Sequence, residues 1–316
     1  MSRLLGMALG VLADAILGDP HSHHPVAWFG ALASRTERAL YADSTVRGAC
    51  YTGATVALVL SVGVAAERAS RRSPAAHTLV TAAATWAALG ARSLVTEGAV
   101  MADKLESGDL DSARAQLPNL CGRRPDDLDA AELARATVES LAENANDAVV
   151  CTLFWGAVAG VPGVLVHRAV NTLDAMVGHR NARYARFGTA SARLDDALAW
   201  LPARLTGVLA CLVAPLAGGS APGALRALRR DHANHPSPNG GWCESAWAGA
   251  LGVRLGGTNV YGDRVEVRGT LGDADAATPD AEAVRRASAL VGWVTAAATT
   301  LALLATLPSA TRRVAP

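Results

Sequence analysis

The sequence predicts an all-α, multi-pass helical membrane protein with polar helical and loop segments between its spans. Three observations carry this expectation. Of 316 residues, 51% are hydrophobic and only 18% charged, below the roughly one quarter usual for soluble domains. The apolar residues gather in six blocks, Leu4 to Gly18, Ala49 to Ala66, Ala75 to Val95, Ala148 to Val166, Ala197 to Ala217 and Ser288 to Pro308, and about 20 apolar residues cross a bilayer as a helix. Strand signals are poor, except that Arg264 to Arg268 alternates after Tyr261-Gly262-Asp263 and suits one strand of a hairpin.

Taken in order, the first block carries Asp14 and runs straight into Gly18-Asp19-Pro20 with no small-residue cleavage site, so it is expected to stay in the protein. The second and last blocks are free of charge throughout and are the strongest spans. Arg92 interrupts the third and Arg204 the fifth, while Pro162 and Pro202 are expected to kink the helices that hold them. Between blocks, Gly108 to Asn144 reads as helices separated by a Pro and Gly break at Pro118 to Pro125, the last from Asp129 to Leu141. The rival architecture is a soluble, Ala-rich helical protein, which requires all six blocks to be buried core. The whole chain, 1–316, is expected to be a single membrane-embedded catalytic domain in the cell membrane. Basic residues are spread too evenly over the loops to assign sidedness, and the oligomeric state is left open.

Charge removes several function classes. With 29 basic and 28 acidic residues the net charge is +1, which gives no electrostatic footprint for nucleic acid. The only lysine, Lys104, has no Gly-Lys-Ser/Thr around it, so a phosphate-cradling P-loop is absent. Five scattered cysteines form no C-x-x-C pair and read as reduced thiols.

The chemistry-bearing residues lie at the edges of the fourth and fifth blocks. Glu139, Glu143 and Asp147 recur at i, i+4 and i+8, which on a continuous helix stacks three carboxylates on one face and suits Mg²⁺, a hard cation that takes oxygen ligands. Asn144-Ala-Asn-Asp147-Ala-Val-Val150 recurs as Asn171-Thr-Leu-Asp174-Ala-Met-Val177. Asp147 and Asp174 are therefore candidate metal ligands, the competing account being two helix starts capped by Asn and Asp. Arg180, Arg183 and Arg186 follow at a three-residue spacing, suited to binding phosphate oxygens bidentately or to marking a cytoplasmic flank. Two loops are rich in polar and turn-forming residues: Gly18 to Pro25, where hydrogen bonding to substrate is favoured over metal binding for His21, His23 and His24, and His235 to Glu244.

A family resemblance rests on the following motifs, which run in order. They are Gly18-Asp19-Pro20 with His24-Pro25-Val26; Val138-Glu-Ser-Leu-Ala-Glu143-Asn144 with Asp147; and Arg168-Ala-Val-Asn-Thr-Leu-Asp-Ala-Met-Val-Gly-His179. Further along come Ala192-Arg-Leu-Asp-Asp196, Leu201-Pro-Ala-Arg-Leu205, His235-Pro-Ser-Pro-Asn239 and Gly249-Ala-Leu-Gly-Val-Arg-Leu-Gly256. This set resembles the adenosylcobinamide-phosphate synthase family of cobalamin biosynthesis, the CobD/CbiB proteins. Two positions depart from the family pattern: Thr152 stands where the family usually has proline, and Arg124 where it usually has aspartate.

The resemblance implies a multi-pass membrane ligase for corrinoid and amino-alcohol substrates. It would join 1-amino-2-propanol, or its O-phosphate, to a propionate carboxylate of adenosylcobyric acid in an ATP-dependent amide ligation that also uses Mg²⁺. The catalytic candidates are Glu143, Asn144, Asp147, Asn171, Asp174 and His179. The substrate-binding candidates are Asp19, His24, Arg180, Arg183, Asn239 and Glu244. Forming an amide calls for phosphate binding and for a base, with His179 or Glu143 suited to the latter. Two other classes compete. A Mg²⁺-dependent intramembrane prenyltransferase would show denser aspartate repeats, and a non-catalytic membrane sensor or transport component would not need the polar loop at His235 to Glu244.

Overall fold

The protein is described from a computed structural model covering residues 1–19, 24–179, 181–261 and 264–307. In chain order the helices are α1 (Ser2–Leu17), α2 (Pro25–Leu40), α3 (Thr45–Ser70), α4 (Pro74–Ala88), α5 (Ala91–Glu106), α6 (Leu110–Gln116), α7 (Ala130–Asn144), α8 (Cys151–Val177), α9 (Thr189–Val213), α10 (Ala221–Asp231), α11 (Gly240–Leu251) and α12 (Ala281–Ala305). The one sheet among the described residues is an antiparallel hairpin of β1 (Leu255–Tyr261) and β2 (Arg264–Leu271). The expected strand at Arg264 to Arg268 is thus part of β2. Its partner, Leu-Gly-Gly-Thr-Asn-Val-Tyr, is glycine-rich and shows little strand signal.

Helix starts follow local chemistry. Ser44, Ser73, Asp109, Asp129 and Ser220 each accept a backbone N–H three residues on, capping α3, α4, α6, α7 and α10. At α7 the Glu132 side chain answers Asp129 in a capping box, which fixes the helix expected from Asp129.

The chain, expected as a single domain, groups its contacts into two compact units. The first comprises Met1–Gly90, Thr152–Asp195 and Ala298–Pro316; the second comprises Ala91–Cys151 and Asp196–Ala297. In the first, α1 packs against α4 through two small residues: a Cβ on Gly6 would lie 2.5 Å from the Cβ of Thr81, and one on Gly10 2.6 Å from that of Thr85. Small residues four apart let membrane helices approach this closely. Helix α8 is broken at Gly160, whose φ of 67° and ψ of −147° suit glycine alone, with Pro162 just beyond. The freed Val161 N–H donates to Glu67 at 2.9 Å, while Arg3 donates to the Ala157 carbonyl at 3.2 Å and pairs with Glu67 at 3.3 Å. Tyr51, Leu173, Val177 and Phe187 form a buried core there.

In the second unit, α10 crosses α11 at Gly223 and Gly249, where a Cβ on Gly249 would lie 2.3 Å from the Gly223 carbonyl oxygen. Trp247, Leu133, Leu141, Leu255 and Leu290 are fully buried in this unit.

Five helical stretches are long and apolar enough to cross a membrane: Thr45–Ser70, Pro74–Glu106, Ala130–Val177, Thr189–Ala217 and Ala281–Ala305. They take in five of the six blocks, whereas the first block forms α1, only 16 residues long. The most apolar window of α3 is only 22% buried, and Leu58, Leu60 and Val62 stand exposed on it. A soluble core helix would bury these side chains, so the exposed apolar surface decides for the multi-pass membrane architecture.

Candidate functional site

The expected stripe of three carboxylates is interrupted. After α7 the chain takes one π-helical turn over Ala145–Val150, and this wider turn moves Asp147 out of register with Glu139 and Glu143. Glu139 leaves the proposed trio for a second reason. It is buried, ion-paired with Arg123 and with Arg135 at 3.4 Å, and accepts the Gly256 N–H at 2.7 Å. Arg135 also donates to the Thr258 carbonyl at 2.9 Å and to Asn259 Oδ1 at 2.8 Å. Together they fasten β1 to α7, and β1 carries β2 with it.

That attachment brings Arg268 of β2 to the next turn of α7, where a buried cluster assembles. Glu143, His235 and Glu244 place one ligand atom each within 4.8 Å of one another. His235 Nε2 lies 3.1 Å from Glu244 Oε1 and 4.0 Å from Glu143 Oε1. Arg268 Nη1 lies 2.9 Å from that same nitrogen and 3.5 Å from Glu244 Oε1. The His235 ring is fixed by its own loop, since Nδ1 has the Ser237 N–H at 3.0 Å and the Ser237 carbonyl at 3.4 Å. Gly240, the first residue of α11, leaves the room: a Cβ there would stand 2.7 Å from His235 Cε1 and 2.9 Å from Glu143 Oε1.

Burial alone would lower the pKa of His235, but the Glu244 and Glu143 carboxylates beside it raise it above the ordinary imidazole value. Burial works to raise that of Glu244, yet His235 and Arg268 hold its carboxyl below the usual range. Burial, followed by the charges of Asp147, Glu143 and Glu244, pushes the Cys243 thiol well above its ordinary value, so Asp147 acts on the same surroundings. Its Oδ1 accepts from Asn146 Nδ2 at 2.8 Å.

Asn239 orders the loop before α11. It donates to the Asp196 carbonyl at 2.9 Å and accepts from Arg204 Nη1 at 2.9 Å. Arg204 in turn lies 4.2 Å over the Trp200 ring and 5.0 Å from that of Trp242. Arg204, which interrupts the fifth block, thus braces the loop.

The remaining candidates take other places. Asn144 is the last residue of α7 and donates to Ser140 at 2.9 Å, inside its own helix. Asn171 and Asp174 lie in the last third of α8, in the first unit, and Asp174 Oδ1 folds over Gly178, where a Cβ would meet it at 1.8 Å. Neither Asn-x-x-Asp motif therefore starts a helix. His179 is exposed beyond the end of α8. His24 caps α2, its Nδ1 accepting the Val26 N–H at 3.1 Å, and its Nε2 lies 3.6 Å from Asp19. Arg183 bonds Glu37 at 3.0 Å and lies 4.1 Å over the Tyr41 ring. Arg180, His21 and His23 lie outside the described residues. At the two departures from the family pattern, Thr152 donates to the Ala88 carbonyl at 3.4 Å and Arg124 to Asp126 at 3.0 Å.

Of the predicted residues, the structure brings together Glu143 and Glu244, with Asp147 and Asn239 nearby. His235 and Arg268 were missed. His235 carried a signal, since it opens the motif that contains Asn239, but Arg268 sits in a strand with no motif.

Comparison with known proteins adds a further finding. The family model described as CobD/Cbib protein matches residues 7–291. The Mycobacterium tuberculosis protein named Cobalamin biosynthesis protein CobD is 48% identical over 304 residues, covering 96% of each chain. Proteins of the same name are 45% identical in Geobacter metallireducens, over 83% of this chain and 84% of that one, and 40% identical in Chromobacterium violaceum, over 94% and 96%. No solved structure matches the chain.

Proposed function

The chain belongs to the CobD/Cbib protein family, and from that premise we propose that it is a cell-membrane ligase of cobalamin biosynthesis. In this reading it joins 1-amino-2-propanol, or its O-phosphate, to a propionate carboxylate of adenosylcobyric acid. The observation that carries the reading is the convergence of Glu143 of α7 with His235 and Glu244, which lie some ninety residues further along the chain, on one acid–imidazole cluster.

Amide formation needs a neutral amine, because the ammonium has no lone pair, so a base must take its proton. Glu143 fits that role. Its side chain is 39% exposed whereas that of Glu244 is fully buried, so Glu143 is the member an incoming amine meets. His235 stands behind it to accept or share the proton, and Arg268 balances the two carboxylates. The fixed His235–Asn239 loop and its Arg204 brace keep the imidazole in place as charge moves.

Mg²⁺ and ATP belong to this proposal through the family resemblance. A carboxylate such as that of Asp147 or Asp174 fits a hard cation, which when bound would neutralise carboxylate or phosphate oxygens. Two cations that could meet the phosphates of ATP are already engaged. Lys104 is engaged with the Ser112 carbonyl and Gln116, and Arg183 with Glu37.

The test is amide formation by detergent-purified protein supplied with adenosylcobyric acid, either amino alcohol, ATP and Mg²⁺, with the product read by mass spectrometry. Glu143→Gln keeps the size and removes the base, so kcat should fall about 100-fold or more while the melting temperature holds. Absence of product with both amines from wild-type protein defeats the reading.

A further inference from the structure

The cluster has a feature that proton transfer does not require. Glu244 is completely buried, yet neither of its carboxylate oxygens has an aligned hydrogen bond. The nearest donor nitrogen, His235 Nε2, is 3.1 Å away but is not aligned on it. Buried carboxylates are costly unless hydrogen bonds or a bound cation compensate them. Atoms bound to one ion at about 2.1 Å stand roughly 3 to 3.5 Å apart and point past each other at the ion. His235 Nε2 and Glu244 Oε1 are so disposed, Glu143 Oε1 completes the set at 4.0 Å from Nε2, and Gly240 keeps the space beside them clear of a side chain.

We propose that Glu143, His235 and Glu244 form a binding site for one divalent transition-metal cation of the Mn²⁺ or Zn²⁺ kind, separate from the Mg²⁺ role expected of Asp147 and Asp174. An imidazole with two carboxylates is a borderline donor set, which favours these ions over Mg²⁺. At Nδ1 the ring has the Ser237 N–H at 3.0 Å and the Ser237 carbonyl at 3.4 Å, and binding through Nε2 calls for the tautomer in which Nδ1 carries the proton toward that carbonyl, as metal-bound histidines donate to their outer partners. Three protein ligands leave coordination positions open. The rival arrangement is that Arg268, at 2.9 Å from Nε2 and 3.5 Å from Glu244, supplies the positive charge that compensates the carboxylates beside His235. Arg268 also bonds Glu266 at 2.8 Å on its own strand, a second carboxylate that holds the guanidinium when a metal takes its place. The inference rests on the proposed ligase reading for what the ion would do there: with Nε2 and Glu143 Oε1 as its ligands, a Lewis acid would stand in place of the proton relay; the binding itself follows from the donor geometry.

The full chain, purified in detergent and stripped with chelator, is titrated with Mn²⁺ and the free ion followed by electron paramagnetic resonance. We expect about one equivalent bound per chain, displaced by Zn²⁺ and held at least about tenfold more tightly than Mg²⁺. Glu244→Gln and His235→Ala should each weaken binding by about tenfold or more. Electron spin-echo modulation on wild-type protein should show nitrogen coupled to the bound Mn²⁺, a result that does not depend on whether any variant folds. No stoichiometric uptake of Mn²⁺ or Zn²⁺, bound Mn²⁺ without nitrogen coupling, or unchanged affinity in both variants would overturn the site. Amide ligation assayed on the same preparation separates the two readings. Metal binding without ligation removes the ligase and leaves the site, and ligation without metal binding does the reverse.

Discussion

Asp147 and Asp174 share a sequence setting and little else. Asp147 sits in the π-helical turn after α7, whereas Asp174 lies near the end of α8 and folds over Gly178. Because neither starts a helix, capping no longer competes with a charge-based role. Asp→Asn at either position keeps the size and removes the charge. If each carboxylate serves Mg²⁺, each variant should need about tenfold more Mg²⁺ for half-maximal turnover, at an unchanged melting temperature. Unchanged Mg²⁺ demand in both single variants withdraws the assignment. Arg183 is engaged within the fold. Its fork suited a phosphate, but Glu37 and Tyr41 already engage it, and a sequence does not say which anion reaches an arginine first.

Two helices are interrupted, and each interruption has an identifiable cause. In α8 the break at Gly160 comes with Pro162, and Glu67 and Arg3 take up backbone groups that an unbroken helix would satisfy itself. Apolar surroundings make such compensation compulsory. Gly160→Ala forces a side chain into a conformation glycine alone adopts, and its Cβ would lie 2.5 Å from Glu67 Oε2. We expect a loss of about 1–3 kcal/mol, read as a lowered melting temperature in detergent, and more if Glu67 is driven from Val161. A melting temperature equal to wild type would show that the break relaxes without strain. Pro162 was visible as a kink signal. The π turn was not: nothing in Ala-Asn-Asp-Ala-Val-Val spells a wider turn, and so the predicted carboxylate stripe failed one turn after it began.

Exposed apolar side chains run along α1 and α3. Leu5, Leu9, Leu12 and Ile16 on α1, like Leu58, Leu60 and Val62 on α3, are exposed, a surface that water would not tolerate over such lengths. The protein should therefore stay in the membrane pellet through alkaline carbonate extraction. Recovery as a monodisperse soluble protein without detergent would remove the membrane architecture. The glycines on which α1 meets α4 serve the same setting, since lipid offers no hydrophobic drive and close backbone approach must supply the attraction.

Helix content, the blocks long enough to span, the helix starting at Asp129 and family membership could all be read along the chain, because periodicity, capping and motif order are local properties. Glu143 and Glu244 could be named in the same way, as polar residues at the edges of apolar blocks. Their meeting with His235 and Arg268 could not. It depends on Arg135 and Glu139 fastening a glycine-rich strand to α7 and on Gly240 admitting three side chains to one point. Those contacts set α7 against residues more than ninety positions further along the chain, and the energy that selects them, burial of charge against compensating charge, exists only once the chain has folded around it.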